Sequence, residues 1–189
     1  GMPACDGNVY TTCNSTGTGY TGARTDCTMM GMFCGGSGCM MGGSDTVPTT
    51  GMPITIGSAL TNYTFLDFYS VTSNRTLSRI EVYMTSTSIT TTLNWVVYEA
   101  TVQTGTYTRL SATTTTSATG TGYQASGDLA VPLVAGRFYG IGVAWATPGI
   151  DMGYQTGTFP QAVSFGSLVS FGYVATGVPT ATAPYTSSS

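Results

Sequence analysis

The residues with the sharpest chemistry are five cysteines, Cys5, Cys13, Cys27, Cys34 and Cys39, all in the first fifth of the chain. From Cys27 to Met41 the run Cys-Thr-Met-Met-Gly-Met-Phe-Cys-Gly-Gly-Ser-Gly-Cys-Met-Met concentrates soft sulfur donors of the kind that suits Cu(I). It holds no paired C-x-x-C units, the spacing a zinc site uses. The favoured reading is therefore oxidised cysteines with flexible methionines filling the gaps around them. At least two disulfides are expected within residues 1–39, with the connectivity open and one thiol left over.

Acid, base and nucleophile chemistry is nearly absent. The chain has no His and no Lys, which removes Ser-His-Asp, Cys-His and Schiff-base mechanisms. Glu81 and Glu99 are the one Glu pair, and on neighbouring strands they would be the remaining route to glycoside cleavage. Two strand carboxylates are more often solvated surface groups, so no enzyme, no catalytic residue and no cofactor is expected. For metals, Asp6, Asp26, Asp45 and Asp151 stand in loop-like contexts with oxygen to offer calcium, but no spacing matches a calcium loop, and no metal site is assigned. Three sequons, at Asn14, Asn62 and Asn74, are candidates for glycan attachment if the producing cell glycosylates exported proteins.

Charge narrows the partners. Only 7% of residues are charged, with five Arg against eight Asp plus Glu. Five scattered Arg make no basic stripe for phosphates, so nucleic acid is set aside. No apolar run is long enough to span a bilayer as a helix, and no charged-then-apolar leader is present. The opening Gly1-Met2 fits leader cleavage, excision from a precursor or a tag scar equally.

The elements that must position any site are strands. The chain carries 37 Thr, 18 Ser and 26 Gly, while the strong helix formers are scarce. Twelve Tyr, seven Phe and two Trp argue against disorder. The cysteines end at Cys39, which divides the chain into a disulfide-stapled segment over residues 1–45, a linker over 46–53 and a β domain over 54–189.

Within that domain, Ser78 to Met84 alternates with Ile80, Val82 and Met84 on one face. Leu93 to Ala100 is apolar on both sides, as a central strand between two covered faces is. Phe138 to Trp145 sets Tyr139, Ile141, Val143 and Trp145 against a bare face of Gly140, Gly142 and Ala144, open to a close backbone or a flat ring. Weaker strands are Tyr63–Val71, Tyr107–Ala112, Leu129–Val134, Gln161–Phe165 and Leu168–Ala175. Short strands without intervening helices predict an antiparallel sandwich or barrel. The buried set is expected to hold Ile80, Val82, Trp95, Val97, Ile141, Val143 and Trp145.

The phrase Leu129-Ala-Val-Pro-Leu-Val-Ala-Gly-Arg-Phe-Tyr-Gly-Ile-Gly-Val143 resembles the penultimate-strand hairpin of secreted bacterial β-sandwich modules. The resemblance implies an all-β, antiparallel jelly-roll or immunoglobulin-like sandwich. It implies no functional residue.

Two low-complexity tracts, Thr85–Thr92 and Ser111–Thr121, read as hydroxyl-lined loops or an exposed strand face, with O-glycan attachment or an ordered hydroxyl array as the functional alternatives. Low charge, hydroxyls and disulfides point first to a structural subunit of an extracellular assembly, polymerised from identical chains head to tail, with a neighbour covering both termini. The second expectation is a carbohydrate-binding or adhesive module, with Tyr10, Tyr20, Tyr123, Tyr154 and Phe159 as loop-borne rings.

Overall fold

In the computed structural model of the chain, the structure describes residues 3–6, 9–14, 16, 20–26, 32–35, 38–41, 55–56, 61–86, 90–154, 157–184 and 187. Contacts divide it into two compact units, Gly1–Asp45 and Thr46–Ser189. The linker expected over 46–53 lies outside the described residues. No helix among the described residues is long and apolar enough to cross a membrane.

The first unit contains β1 (Pro3–Asp6), β2 (Val9–Cys13) and β3 (Tyr20–Asp26) in one antiparallel sheet, and the hairpin of β4 (Met32–Gly35) and β5 (Gly38–Met41). Cys5, Cys13, Cys34 and Cys39 fall on β1, β2, β4 and β5, and the hairpin register sets Cys34 opposite Cys39. Cys27 lies outside the described residues.

The second unit is antiparallel throughout. Its strands are β6 (Thr55–Ile56), β7 (Tyr63–Val71), β8 (Arg75–Leu77), β9 (Glu81–Ser86), β10 (Thr92–Ala100), β11 (Thr108–Thr116), β12 (Gly120–Ala125), β13 (Val131–Leu133), β14 (Phe138–Trp145), β15 (Ile150–Tyr154), β16 (Gln161–Val163) and β17 (Gly166–Val174). A six-stranded sheet runs β11-β10-β14-β7-β17-β16, a four-stranded sheet runs β12-β9-β15-β6, and β13 pairs with β8.

Burial follows the alternation that the sequence carries. On β10, Leu93, Trp95 and Val97 enter the larger core, while Val96, Tyr98 and Ala100 enter a second cluster on the other face with Leu66, Phe68 and Tyr107. The larger core also takes Met84 from β9 and Ile150 from β15, so both sheets feed it. Each such side chain, removed from water, contributes about 1.5–3 kcal/mol. Of the expected buried set all but Val82 are fully buried, and Val82 packs at the edge of the same core. The bare face of β14 is used as anticipated. A Cβ at Gly140 would lie 3.1 Å from the Phe68 ring, and one at Gly142 would run into the carbonyl oxygen of Phe65.

Four strands of the second unit escape the sequence reading. β6 and β8 are only two and three residues long, and β12 and β15 contain Gly120, Gly122 and Gly153, a residue type that favours turns. The Val131–Leu133 strand and the Phe138-led strand flank an Ala-Gly turn with Gly136 at φ 81°, as the hairpin phrase has it, but β13 pairs with β8 rather than with β14. The Ser111–Thr116 part of the second hydroxyl tract is strand rather than loop, with Thr114 and Thr116 on the exposed face of β11 and Ser111, Thr113 and Thr115 half-buried on the other.

The C-terminal segment lies along its own domain. Thr182 bridges Thr108, the Arg109 amide donates to Ala181 O at 2.9 Å, and the Ala183 amide donates to Tyr107 O at 2.8 Å. Arg109 Nη1 reaches Pro179 O at 3.0 Å, and the Ser170 and Ser187 hydroxyls meet at 2.6 Å. Hydrogen bonds within the chain thus hold this segment on its own domain.

Candidate functional site

On β9 the side chains of Met84 and Ser86 are buried, so period two turns Tyr83 and Thr85 to the opposite face. Register then fixes their neighbours. Thr85 stands between Thr121 on β12 and Asp151 on β15, and Tyr83 stands opposite Tyr123. Directly opposed residues in an antiparallel pair share a face, so Thr121, Thr85, Asp151, Tyr123 and Tyr83 form one patch.

The patch holds three kinds of group. The Tyr83 and Tyr123 rings meet edge to face, with centroids 5.2 Å apart and planes at 77°, and Tyr123 remains 58% exposed. The Thr85 and Thr121 hydroxyls share a 2.8 Å hydrogen bond. Beside them Asp151 Oδ1 is shut off from water and takes no hydrogen bond among the described residues, an unmet acceptor of the kind that costs about 1–3 kcal/mol. At the end of the patch the carboxylate of Glu81, two residues along from Tyr83, is held by Arg79 at 2.8 Å.

Two residues of this patch were singled out by sequence in the wrong setting. Tyr123 and Asp151 were read as loop residues, whereas both sit on strands, because glycines beside them mimic turn signals. Thr85 and Thr121 belong to the two hydroxyl tracts, and β9–β12 pairing joins those tracts. Tyr83 is not among the rings that the sequence singles out.

Other candidates are dispersed. Glu81 and Glu99 are not on neighbouring strands, since β9 and β10 belong to different sheets. Glu99 instead accepts from the Tyr139 hydroxyl at 2.7 Å and faces Arg137 at 3.8 Å. Tyr10 lies on β2, Tyr20 on β3 and Tyr154 on β15. Phe159 is loop-borne, and its ring lies 5.7 Å from Phe171. Asp6 and Asp26 fall on β1 and β3, and Asp45 lies outside the described residues.

Among the sequons, Asn62 has a left-handed backbone (φ 66°), and its side chain accepts from the Gly177 amide at 2.8 Å and donates to Ala175 O at 3.4 Å. Asn14 accepts from the Thr16 hydroxyl at 3.0 Å. Asn74 is exposed, its Oδ1 accepting from the Ala135 amide at 2.8 Å. Among the described residues no group of three or more His, Cys, Asp or Glu side chains is placed to hold a metal ion.

No protein-family model, curated protein or solved structure matches the chain.

Proposed function

We propose that the chain is a non-catalytic extracellular module that holds a neutral carbohydrate on the face formed by Tyr123, Tyr83, Thr121, Thr85 and Asp151. One observation carries this reading: the paired Thr85 and Thr121 hydroxyls lie on the same face as the exposed Tyr123 ring. Two hydroxyls own two protons, and their shared bond uses one. The other remains to be given to an acceptor. A sugar hydroxyl accepts it and has a proton of its own to give, so it suits this pair. The exposed Tyr123 ring adds an apolar face for the sugar's C–H surface. The Asp151 charge disfavours anionic polymers.

The wider reading follows the same line. The two sheets that share a core are taken as layers of a jelly-roll or immunoglobulin-like sandwich, and residues 1–45 as a segment stapled by disulfides among the five cysteines. Exposed Asn74 is the sequon best placed to carry a glycan.

The test is affinity electrophoresis of the whole chain through gels containing neutral polysaccharides, with a carboxylated polymer as control. Retardation by a neutral polymer is expected, reduced about tenfold or more in Tyr123→Ala and Thr121→Ala, both at exposed positions, with an unchanged melting profile. Unhindered migration in every neutral gel overturns the proposal.

A second reading, the polymerising subunit, is favoured by one feature. β11 ends the six-stranded sheet, and among the described residues the C-terminal segment pairs only with its start, leaving an edge suited to a strand from another copy. Sedimentation that stays monomeric at high concentration removes it.

A further inference from the structure

The larger sheet presents a different face. Asp67 lies in mid-β7 on the same side as Phe65 and Tyr69, with Ile141 of β14 and Phe171 of β17 directly opposite. Its surroundings are therefore rings and aliphatic groups. Burial pushes the Asp67 carboxyl up to about 6, against the pull of a hydrogen bond from Tyr69. Neither Tyr63–Val71 nor Gly166–Val174 contains Arg or Lys, so neither strand offers a counter-ion.

The rings around this acid lead outward from the core. Phe65 stacks on fully buried Trp145 at 5.5 Å and 8°, and Tyr173 stacks on Phe65 at 5.3 Å and 26°. Tyr173 is 60% exposed and Phe171 45%. β16 pairs only with the Gly166–Leu168 end of β17, so the Phe171–Tyr173 half lies at the sheet margin. Phe159 extends the aromatic surface beyond Phe171.

We propose that this face is a binding site for an organic ammonium ion, with Phe65, Phe171 and Tyr173 as its wall and the Asp67 carboxylate as its counter-ion. The choice of ligand follows from what the face offers. Aromatic faces are electron-rich and attract cations most strongly where water is excluded. A sugar asks for several hydrogen-bonding groups close together, as on the Thr85 face, and here a single carboxyl and scattered phenol hydroxyls stand among apolar ring faces. An anion meets a like charge. A purely apolar ligand would leave the carboxylate charge desolvated and without a counter-ion. A quaternary or alkylated ammonium satisfies both features, since its methyl surface packs on rings and its charge answers Asp67.

The test uses the whole chain and two probes of equal shape, choline and its uncharged isostere 3,3-dimethylbutan-1-ol, titrated by calorimetry or by shifts of the ring resonances. Choline is expected to saturate the site, with the isostere weaker by about tenfold or more, as loss of one desolvated cation–ring contact implies. Asp67→Asn and Tyr173→Ala should each weaken choline about tenfold, while Tyr123→Ala leaves it unchanged. Equal binding of the two probes, wild-type choline affinity in Asp67→Asn, or no saturation by choline overturns the assignment. None of these outcomes bears on the carbohydrate face.

Discussion

The hydroxyl of Tyr139 donates to Glu99 Oε2 at 2.7 Å and at the same time accepts the amide proton of Val134 at 2.8 Å. One phenol on β14 thus ties β10 to the loop that follows β13. Burial is the main reason its hydroxyl is pushed up to about 12. Tyr139→Phe keeps the ring but strands the Val134 amide and the Glu99 carboxylate. It should cost about 1–3 kcal/mol in urea unfolding. A change within experimental error would show that water replaces the phenol at no cost.

Trp95 and Trp145 are the largest fully buried side chains of the same core. Trp95 also donates its indole N–H to Thr115 Oγ1 at 2.7 Å, and Trp145 carries the Phe65 stack. Truncating either to Ala should cost about 3–5 kcal/mol. Losses below about 1 kcal/mol at both sites would mean that the core drawn here is wrong.

Gly142 and Gly140 separate two kinds of close approach. A methyl at Gly142 meets the Phe65 backbone, which cannot move without opening the β14–β7 ladder, whereas a methyl at Gly140 meets a ring that can shift a few tenths of an ångström. Gly142→Ala should therefore destabilise by about 3 kcal/mol or more and Gly140→Ala by about 1. Thermal melts of the two variants in parallel decide it, and the reverse order would contradict the packing.

Asp67 makes stability depend on pH in an unusual direction. Its folded value, about 6, lies above the ordinary 3.8, so the folded chain holds this proton more tightly than the unfolded one. The contribution is complete below about pH 4, is lost as pH rises through 6 and then levels off, an amount of about 3 kcal/mol for a shift of this size. Asp67→Asn should be the more stable protein at pH 8 and should lack this slope. Parallel denaturant curves for both proteins between pH 4 and 8 measure it, and identical slopes would refute it.

The β4–β5 register predicts one disulfide. Gly35 opposes Gly38 across two intervening residues, which makes that pair the hydrogen-bonded one and Cys34–Cys39 the non-bonded pair next to it. Non-bonded pairs bring Cα atoms to about 4.5 Å, within disulfide reach. Peptide mapping without reduction should find Cys34 joined to Cys39. Finding either joined to Cys5 or Cys13 would place the hairpin in another register.

Much of the second unit is legible in its sequence because its strongest signals are local. The two-sided apolar pattern of Leu93–Ala100 and the Gly140, Gly142 face follow from period two alone. The Thr85–Thr121 contact does not, since it joins residues 36 apart through a pairing that brings β12 beside β9. Glu81 and Glu99 fail for the mirror-image reason. They are closer in sequence, yet the chain changes sheets between them. Asp67 gave no signal, because an acid in an alternating strand looks like a solvent-facing one until β14 and β17 flank it.

The segment from Val178 to Ser187 is fastened by single bonds at Pro179, Ala181, Ala183 and Ser187, while Gly177 just before it is locked against the Asn62 side chain and the Trp145 backbone. A pull on the C-terminus directed across β11 therefore breaks those bonds one after another and stops at Gly177. Bonds set out singly along a segment yield one at a time under tension, whereas the strand ladders that carry Tyr123 and Asp67 yield only as a group.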